Sequence, residues 1–394
     1  MRWSGERTND VQYLTCDREM NNVQERRRID LKPDFPEEVG ESLKGVRQVY
    51  DLLHRAVADH VFPGAVILIA RGGQIMAHRA VGQFTYEEGA SPMQPDTLFD
   101  LASVTKVVAT TTAAMLLVEE GALHLDQQVV AYLPSFSGQG KADITVRHLL
   151  TQTSGLPAWV DLYRWCTGKQ AVVDYICTME LEYPPGTQSI YSDLGVIILG
   201  AVLERVSGVP LDRFCATRIF APLGMRDTLF NPPRSFWSRV APTEYVEERG
   251  GVVQGQVHDE NAFAMGGVAP HAGLFSTARD LSIFCQMLLN GGVYGSQRLL
   301  REETICRFTR RQNGIPESHR ALGWMVWSTD SPAGTHFSPS SYGHTGFTGT
   351  SVWIDPERSL FVVLLTNRVH PTRNNTRILQ FRPQVHDAVI KAIT

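Results

Sequence analysis

The sequence lacks the features that mark several large classes of protein. Its longest apolar runs, such as residues 65–70 and 196–203, fall far short of the roughly 20 residues that a membrane-spanning helix needs. The first 30 residues are polar and include Arg26, Arg27 and Arg28, without the apolar stretch of a signal peptide. The sequence as given therefore predicts a cytoplasmic protein with no membrane span. A periplasmic or extracellular protein that had lost its export signal would look the same.

Two further absences narrow the chemistry. The six cysteines include no C-x-x-C pair of the kind found in zinc and redox sites, and six in 394 residues do not indicate a disulfide scaffold. The net charge is only −4, so neither nucleic acid nor an acidic membrane surface is a predicted partner. The sequence leaves the oligomeric state open.

The first part of the chain predicts an extension, then a helix and a hairpin. Residues 1–42 carry few periodic apolar positions and predict a partly disordered N-terminal extension. Apolar residues recur at helical spacing over residues 43–61, and two short apolar runs separated by R-G-G-Q follow at 65–70 and 75–81. The stretch 104–120 is rich in Ala, Val, Leu and Met and predicts a buried helix.

The remainder predicts a helical region followed by a return to strands. Helical segments broken by Pro/Gly loops fill residues 123–269, and another helix is predicted at 278–290. Strands are then predicted at 324–327, 350–354 and 360–365, with a final helix at 385–393. The two ends of the chain therefore predict one α/β domain over residues 43–394, whose α/β part covers about 43–122 and 270–394 and whose helical insertion covers about 123–269.

The first chemical motif is S-x-x-K at Ser103 and Lys106. Residues three apart at the start of a helix share one face, and the positive end of the helix dipole favours the alkoxide of an attacking serine. A serine needs a nearby base to become nucleophilic, and a partly desolvated lysine can serve as one. The alternative is that Ser103 caps the helix and Lys106 is merely solvated.

Two later motifs add candidate residues. Tyr191-Ser192-Asp193 precedes a buried helix, so Tyr191 either points into a cleft and shares a proton with Lys106 or is a core tyrosine. His344-Thr345-Gly346 precedes Phe347 and a strand, where glycine allows the backbone to approach a ligand and aim N–H groups at a carbonyl oxygen. The alternative for this third motif is a Gly-rich edge strand with no ligand.

Together the three motifs resemble the class C β-lactamase-like group of penicillin-binding serine hydrolases. S-x-x-K, a tyrosine loop and [K/H]-T-G occur in the order described for those enzymes. The sequences around the motifs, at residues 99–106, 147–156 and 343–350, are also similar to that superfamily. The resemblance covers roughly residues 45–394.

The resemblance implies a fold and a mechanism. The fold is an α/β sandwich of a five-stranded antiparallel sheet flanked by helices, with a mainly helical insertion. Ser103 would attack an acyl carbon, with Lys106 and Tyr191 moving the proton and with the N–H groups of Ser103 and Phe347 forming an oxyanion hole. Asp193, His344, Thr345 and Gly346 would line the substrate site. No metal and no organic cofactor is implied.

Two residues depart from the usual pattern. Asp193 stands where the second motif normally ends in Asn, and its charge is expected to hold Lys106 protonated, which shifts the base role toward Tyr191. His344 stands where β-lactamases usually have lysine, so we expect a weaker and pH-dependent grip on a substrate carboxylate. Both changes argue against an efficient β-lactamase.

The resemblance around residues 258–261 and 344–350 implies a small-molecule substrate and favours a hydrolase of a peptidoglycan-derived peptide, such as a D-alanyl peptide or a muropeptide. The alternatives are a small-molecule carboxylesterase of the same family and, in another functional class, a non-turnover penicillin-binding or sensor protein. The segment 258–261 and His271 raise a metal hypothesis, against which we favour a hydrogen-bonded loop that lines the cleft.

Overall fold

The computed structural model describes residues 30–31, 43–312 and 314–393. The predicted extension over residues 1–42 lies outside the described residues, apart from Asp30 and Leu31. Leu31 is buried in the core, and a carboxylate oxygen of Asp30 accepts a hydrogen bond from the Gly295 N–H at 2.7 Å.

The strands form one large sheet and three small ones. Within the described residues their bounds are β1 Gly64–Arg71, β2 Gln74–Gly82, β3 Phe99–Asp100, β4 Leu229–Phe230, β5 Tyr245–Val246, β6 Gly251–Val252, β7 Leu274–Ser276, β8 Val293–Tyr294, β9 Gln297–Arg298, β10 Met325–Val326, β11 Tyr342–Thr345, β12 Ser351–Asp355 and β13 Leu360–Thr366. The large sheet has the order β10-β11-β12-β13-β1-β2 and is antiparallel throughout. A three-stranded sheet has the order β3-β7-β4, and β5-β6 and β8-β9 are hairpins.

The large sheet separates two hydrophobic cores. Strands β1 and β2 from the first part of the chain join strands β10 to β13 from the last part where β1 pairs with β13, and Ile67 lies opposite Leu364. Because side chains alternate along a strand, Val66 and Leu68 enter one core, whereas Ile67 and its strand neighbours Ala65 and Ile69 enter the other. Both faces of the sheet are therefore covered.

Helices form the second set of elements in the described residues. The α-helices of the described residues are α1 Leu43–Ala58, α2 Thr112–Glu119, α3 Val129–Tyr132, α4 Val146–Leu150, α5 Lys169–Thr178, α6 Asp193–Ser207, α7 Leu211–Cys215, α8 Ala221–Leu223, α9 Glu260–Ala264, α10 Ala278–Leu289, α11 Glu302–Thr309 and α12 Ile378–Ile393. Shorter 3₁₀ segments lie at Ala102–Val104, Lys141–Asp143, Leu162–Arg164, Arg234–Arg239 and Glu247–Arg249, and π-helical segments at Lys106–Thr111 and Ala216–Phe220.

Helices α1 and α12 cover one face of the large sheet, which we call the outer face. Helix α1 packs against α12, and its apolar residues Val46, Val49 and Leu53 recur at helical spacing on one buried face. From α12, Val385 and Val389 enter the same core. Helices α1 and α12, far apart in the sequence, therefore build one layer together.

The inner face holds the stretch that carries the first motif. Residues Ala102–Glu119 begin as a 3₁₀ turn, continue as a π-helix and end as α2. Among the described residues this stretch is long and apolar enough to cross a membrane, and the bent pair formed by Asp193–Ser207 and Leu211–Leu223 passes the same test only when taken as one span. Within this structure, 83% of Ala102–Glu119 is buried, so it forms the centre of the inner core.

The predicted α/β architecture is confirmed, with two differences in detail. The large sheet has six strands and not the expected five. The additional strand, β11, includes His344 and Thr345 of the third motif, whereas the sequence predicted a strand only after that motif, at 350–354. The polar and glycine-containing β11 is a strand because it pairs on both sides, with β10 and β12. The final helix begins at Ile378 and continues through Pro383, since Ile378 and Phe381 are buried in the outer core.

We expect Leu53→Ala to lower the free energy of unfolding by about 2–5 kcal/mol, because a fully buried leucine leaves a cavity when truncated. Leu379→Ala makes the same chemical change at a side chain that is 63% exposed and should cost much less. Urea denaturation of both variants measures the difference. Equal losses would show that α1 does not pack as described.

Candidate active site

The Ser103 turn is held from several directions. Strand β3 pairs with β7 and ends at Asp100, whose carboxylate accepts the Ala102 N–H at 2.8 Å and the His258 N–H at 2.6 Å. Ala102 has a φ of 45°, a left-handed conformation that is unfavourable for a residue with a side chain. Such strain persists where surrounding contacts fix the backbone, and it is common at functional sites. The turn therefore presents Ser103 in a fixed position.

Lys106 lies directly behind the serine. Its Nζ is 2.8 Å from the Ser103 Oγ, 2.9 Å from the His271 carbonyl oxygen and 2.7 Å from a carboxylate oxygen of Asp193. An ammonium group has three N–H donors, and three acceptors surround this one. The same nitrogen lies 5.0 Å from the centre of the Tyr191 ring. The structure thus brings three of the sequence-predicted residues, Ser103, Asp193 and Tyr191, around a fourth, Lys106.

The charge of Asp193 acts on both of its titratable neighbours. Burial alone would lower the pKa of Lys106, but the negative charges of Asp193 and Tyr191 outweigh it, so this pKa is raised. Desolvation raises the pKa of the Tyr191 phenol, Lys106 opposes that rise, and Asp193 adds to it. Asp193 therefore favours the protonated form of both groups.

The third motif packs against the turn that carries Ser103. The Gly346 N–H donates to the Thr350 carbonyl at 2.7 Å, and a Cβ on Gly346 would lie only 2.3 Å from the Leu101 carbonyl oxygen, so no larger residue fits. The buried guanidinium of Arg382 donates to the carbonyls of Gly346 and Thr350 at 2.7 and 3.1 Å. These contacts set the backbone of Gly346 and Phe347 against the nucleophile turn.

His344 is a neutral hydrogen-bond acceptor toward the cavity. Its Nδ1 lies 2.8 Å from the Thr345 carbonyl, and since a carbonyl only accepts, this nitrogen carries the proton. Burial and the positive charges of Lys106 and Arg320 hold the pKa of His344 well below its usual range. Nε2 therefore keeps its lone pair at neutral pH. The weaker, pH-dependent grip on a carboxylate stays a prediction, and the lowered pKa moves the protonated form of His344 to more acidic pH.

A cavity of about 670 Å³ opens over these residues. Seven of the eight predicted site residues line it, namely Ser103, Tyr191, Asp193, His344, Thr345, Gly346 and Phe347, and Lys106 lies buried beneath them. The exposed rings of Trp159 and Phe347 form part of its wall.

The segment 258–261 lies in the same wall and is held by hydrogen bonds. His258 Nε2 is 2.9 Å from a carboxylate oxygen of Glu244, and His271 Nε2 is 2.9 Å from one of Asp259. In the described part of the chain, no group of three or more His, Cys, Asp or Glu side chains is arranged to hold a metal ion. His258 also stacks on Phe347, with ring centres 5.8 Å apart.

Sequence reasoning missed several residues of the site. The His271 carbonyl that accepts from Lys106 has no signal in the sequence, because any residue type can supply a backbone oxygen. Arg320, Arg368, Arg373 and Arg382 also line the cavity. Of these, Arg320 lies four residues before the predicted strand at 324–327, and nothing in that spacing marks it as part of the site.

Comparison with known proteins agrees with this geometry. The family model described as "Beta-lactamase" matches residues 49–385. The chain is 36% identical over 369 residues to the Bacillus subtilis "N-acetylmuramyl-L-alanine amidase", covering 84% of this chain and 82% of the relative. It is 36% identical over 376 residues to the Escherichia coli "Putative D-alanyl-D-alanine carboxypeptidase", covering 86% of each. Among solved structures, "EstCE1, a hydrolase with promiscuous acyltransferase activity" superposes with a TM-score of 0.72 at 23% identity, covering 89% of this chain and 99% of the other, which shows the shared fold.

We expect Asp193→Asn to move the pH profile of kcat/KM toward lower pH by about one unit or more. Asp193 raises the pKa of both Lys106 and Tyr191, so removing its charge lowers both, and more of the basic form is present at neutral pH. Ester hydrolysis measured from pH 5 to 10 gives the apparent pKa.

A matched control is Asp161→Asn, which removes a carboxylate that pairs with Arg164 at the surface and should leave the profile in place. An Asp193→Asn profile that coincides with that of the wild type would show that the charge of Asp193 does not govern the catalytic base.

Proposed function

The chain belongs to the β-lactamase family of serine hydrolases, and we propose that it cleaves an amide or ester of a peptidoglycan-derived peptide through an acyl-enzyme on Ser103. The observation that carries the mechanism is the 2.8 Å contact between Lys106 Nζ and Ser103 Oγ at the base of the cavity. The substrate class is supported by the names of the two relatives, an amidase acting at N-acetylmuramyl-L-alanine and a D-alanyl-D-alanine carboxypeptidase.

Tyr191 is the proposed general base for acylation. Against the effect of burial, the negative charge of Asp193 raises the pKa of Lys106, so its nitrogen is an ammonium with no lone pair to take the serine proton. The Tyr191 phenolate, stabilised by the Lys106 charge 5.0 Å from its ring centre, takes that proton as Ser103 Oγ bonds to the acyl carbon. Because the pKa of the phenol is raised, the phenolate is the minor form at neutral pH. It becomes more abundant as the pH rises, and the rate of acylation is expected to rise with it.

The remaining steps restore the starting protonation state of the enzyme, with the serine proton leaving on the leaving group and a proton from water replacing it. The phenol of Tyr191 donates its proton to the leaving nitrogen or oxygen as the carbonyl bond to the leaving group breaks. A water molecule then attacks the acyl-enzyme and gives a proton to Tyr191, which passes it to Ser103 Oγ as the acid product leaves.

The backbone N–H groups of Ser103 and Phe347 are the proposed oxyanion hole. The Phe347 N–H has no acceptor among the described residues, and the Gly346 contact with Leu101 holds it near the nucleophile turn. Donors of this kind are aimed at the oxygen that becomes negative during attack, and losing one typically costs about 3 kcal/mol of transition-state stabilisation.

The shape of the cavity supports a substrate larger than a short acyl ester. A volume of about 670 Å³ lies within the range of sites for drug-sized ligands. Its wall combines exposed aromatic rings with buried charged groups, so it can bind the apolar and the polar parts of a peptide or an amino sugar. A family carboxylesterase is the second candidate, and a penicillin-binding sensor is the third.

We expect steady hydrolysis of p-nitrophenyl butyrate by the wild type and at least a thousandfold slower turnover by Ser103→Ala, since removing the nucleophile leaves only residual catalysis. Absorbance of p-nitrophenol measures the rate, and intact mass during turnover reports the butyryl adduct on Ser103. Ser154→Ala changes a buried serine outside the cavity lining and should retain turnover.

The same preparations then compare MurNAc-L-Ala-peptide, a D-Ala-D-Ala peptide and the ester by kcat/KM. A higher value for either peptide supports the proposal, whereas turnover of the ester alone would favour the carboxylesterase. A single burst with a lasting adduct would favour the sensor, and equal rates for wild type and Ser103→Ala would exclude Ser103 as the nucleophile.

A further inference from the structure

The cations around the cavity are not equivalent. Lys106 pairs with Asp193, and Arg373 pairs with Glu244 and Glu260. The two other guanidinium groups that line the cavity donate to backbone carbonyls, that of Arg382 to Gly346 and Thr350 and that of Arg368 to Phe347, Arg373 and Asn375. By contrast, no hydrogen bond or ion pair joins the Arg320 guanidinium to any residue that the structure describes.

The position of Arg320 is defined even though its charge is unpaired. Its backbone forms an isolated bridge with Met325, and its guanidinium carbon lies 5.1 Å from the centre of the Tyr191 ring. A guanidinium on an aromatic face is a favourable cation–π contact that leaves the N–H donors at the edge of the group available. The donors therefore lie beside Tyr191 without an acceptor of their own.

Arg320 also stands at the boundary of two cavities. Besides the active-site cavity it lines a second one of about 570 Å³, and Met325 is the other residue common to both. The walls of the second cavity come from residues 187–190, 317–319 and 330–332, with Ile315, Val326 and Ser328, and combine hydroxyl, amide and carboxylate groups with apolar side chains. A hydrogen bond of 3.1 Å from Ser318 Oγ to Ser189 Oγ joins two of these walls.

The proposed mechanism decides which part of the substrate lies near Arg320. The leaving group takes its proton from Tyr191, so its nitrogen or oxygen must lie next to that phenol during acylation. Beyond Tyr191 lie Arg320 and then the second cavity. We propose that Arg320 binds a carboxylate of the leaving group, an amino acid or peptide whose remainder occupies the second cavity. This inference rests on the proposed function and adds to it the chemistry of the leaving group.

Neighbouring residues leave this role to Arg320. His344 lines the cavity but its pKa is lowered, so at neutral pH it adds no positive charge there to attract an anion. An arginine side chain offers two parallel N–H donors that match the two oxygens of a carboxylate. In an amide of an amino acid the carboxylate is two bonds from the leaving nitrogen, which suits an arginine in contact with the residue that protonates that nitrogen.

The test compares two substrates that share one acyl group. The wild type should cleave (butyryloxy)acetate with a kcat/KM about tenfold or more above that for its methyl ester, because only the former carries a leaving-group carboxylate, placed two bonds from the leaving oxygen as in an amino acid. Since both form the same butyryl-enzyme, the ratio reports acylation alone. In Arg320→Gln this ratio should fall about tenfold, and Arg320→Lys should recover part of it because a lysine keeps the charge without the paired donors.

Arg310→Gln is the control, since Arg310 is exposed and outside both cavities, and it should keep the wild-type ratio. A ratio that Arg320→Gln leaves unchanged would overturn the inference. Monophenyl glutarate compared with phenyl butyrate places the carboxylate on the acyl side, and an Arg320-dependent preference there would overturn the leaving-group assignment. Methyl ester turnover that survives Ser103→Ala would instead contradict the proposed function, and the inference with it.

Discussion

The ammonium group of Lys106 is the point on which the rest of the site depends. It is buried, so each of its three N–H groups needs an acceptor inside the protein. The acceptors come from three separate segments: the turn after β3, the start of α6 and the residues before β7. Satisfying one cation therefore fixes the relative positions of the nucleophile turn, the tyrosine loop and the segment that contains His271.

The two unusual residues of the motifs make sense together as a redistribution of charge. Asp193 adds a negative charge next to Lys106, and His344 places a neutral group where a positive one is usual in β-lactamases. Arg320, from a different part of the chain, supplies a positive charge at the face of Tyr191. A positive charge of the cavity therefore lies at Arg320, beside Tyr191, and not in the third motif.

The sequence predicted the parts of the molecule that depend on local pattern. Alternating or continuous apolar runs identified β1, β2, β12 and β13, and motif spacing identified Ser103 and Lys106, because helical geometry relates residues three apart directly. Strand β11 was missed because its glycine and polar residues become a strand only through pairing on both sides. The His271 carbonyl and the free guanidinium of Arg320 were beyond prediction for the same reason: each depends on contacts between segments far apart in the chain.

The pairing of β1 with β13 has a consequence for how the protein is made. Arg71, at the end of β1, donates to the Ile393 carbonyl at 3.0 Å, 322 positions later in the chain. The pairing of β1 and the outer helix layer therefore remain incomplete until residues 360–393 have left the ribosome. Proteins with such long-range pairing fold slowly and expose apolar strands meanwhile. Strand β1 is buried in the folded protein but stays exposed during synthesis until β13 is available, which makes it a segment that a chaperone could bind.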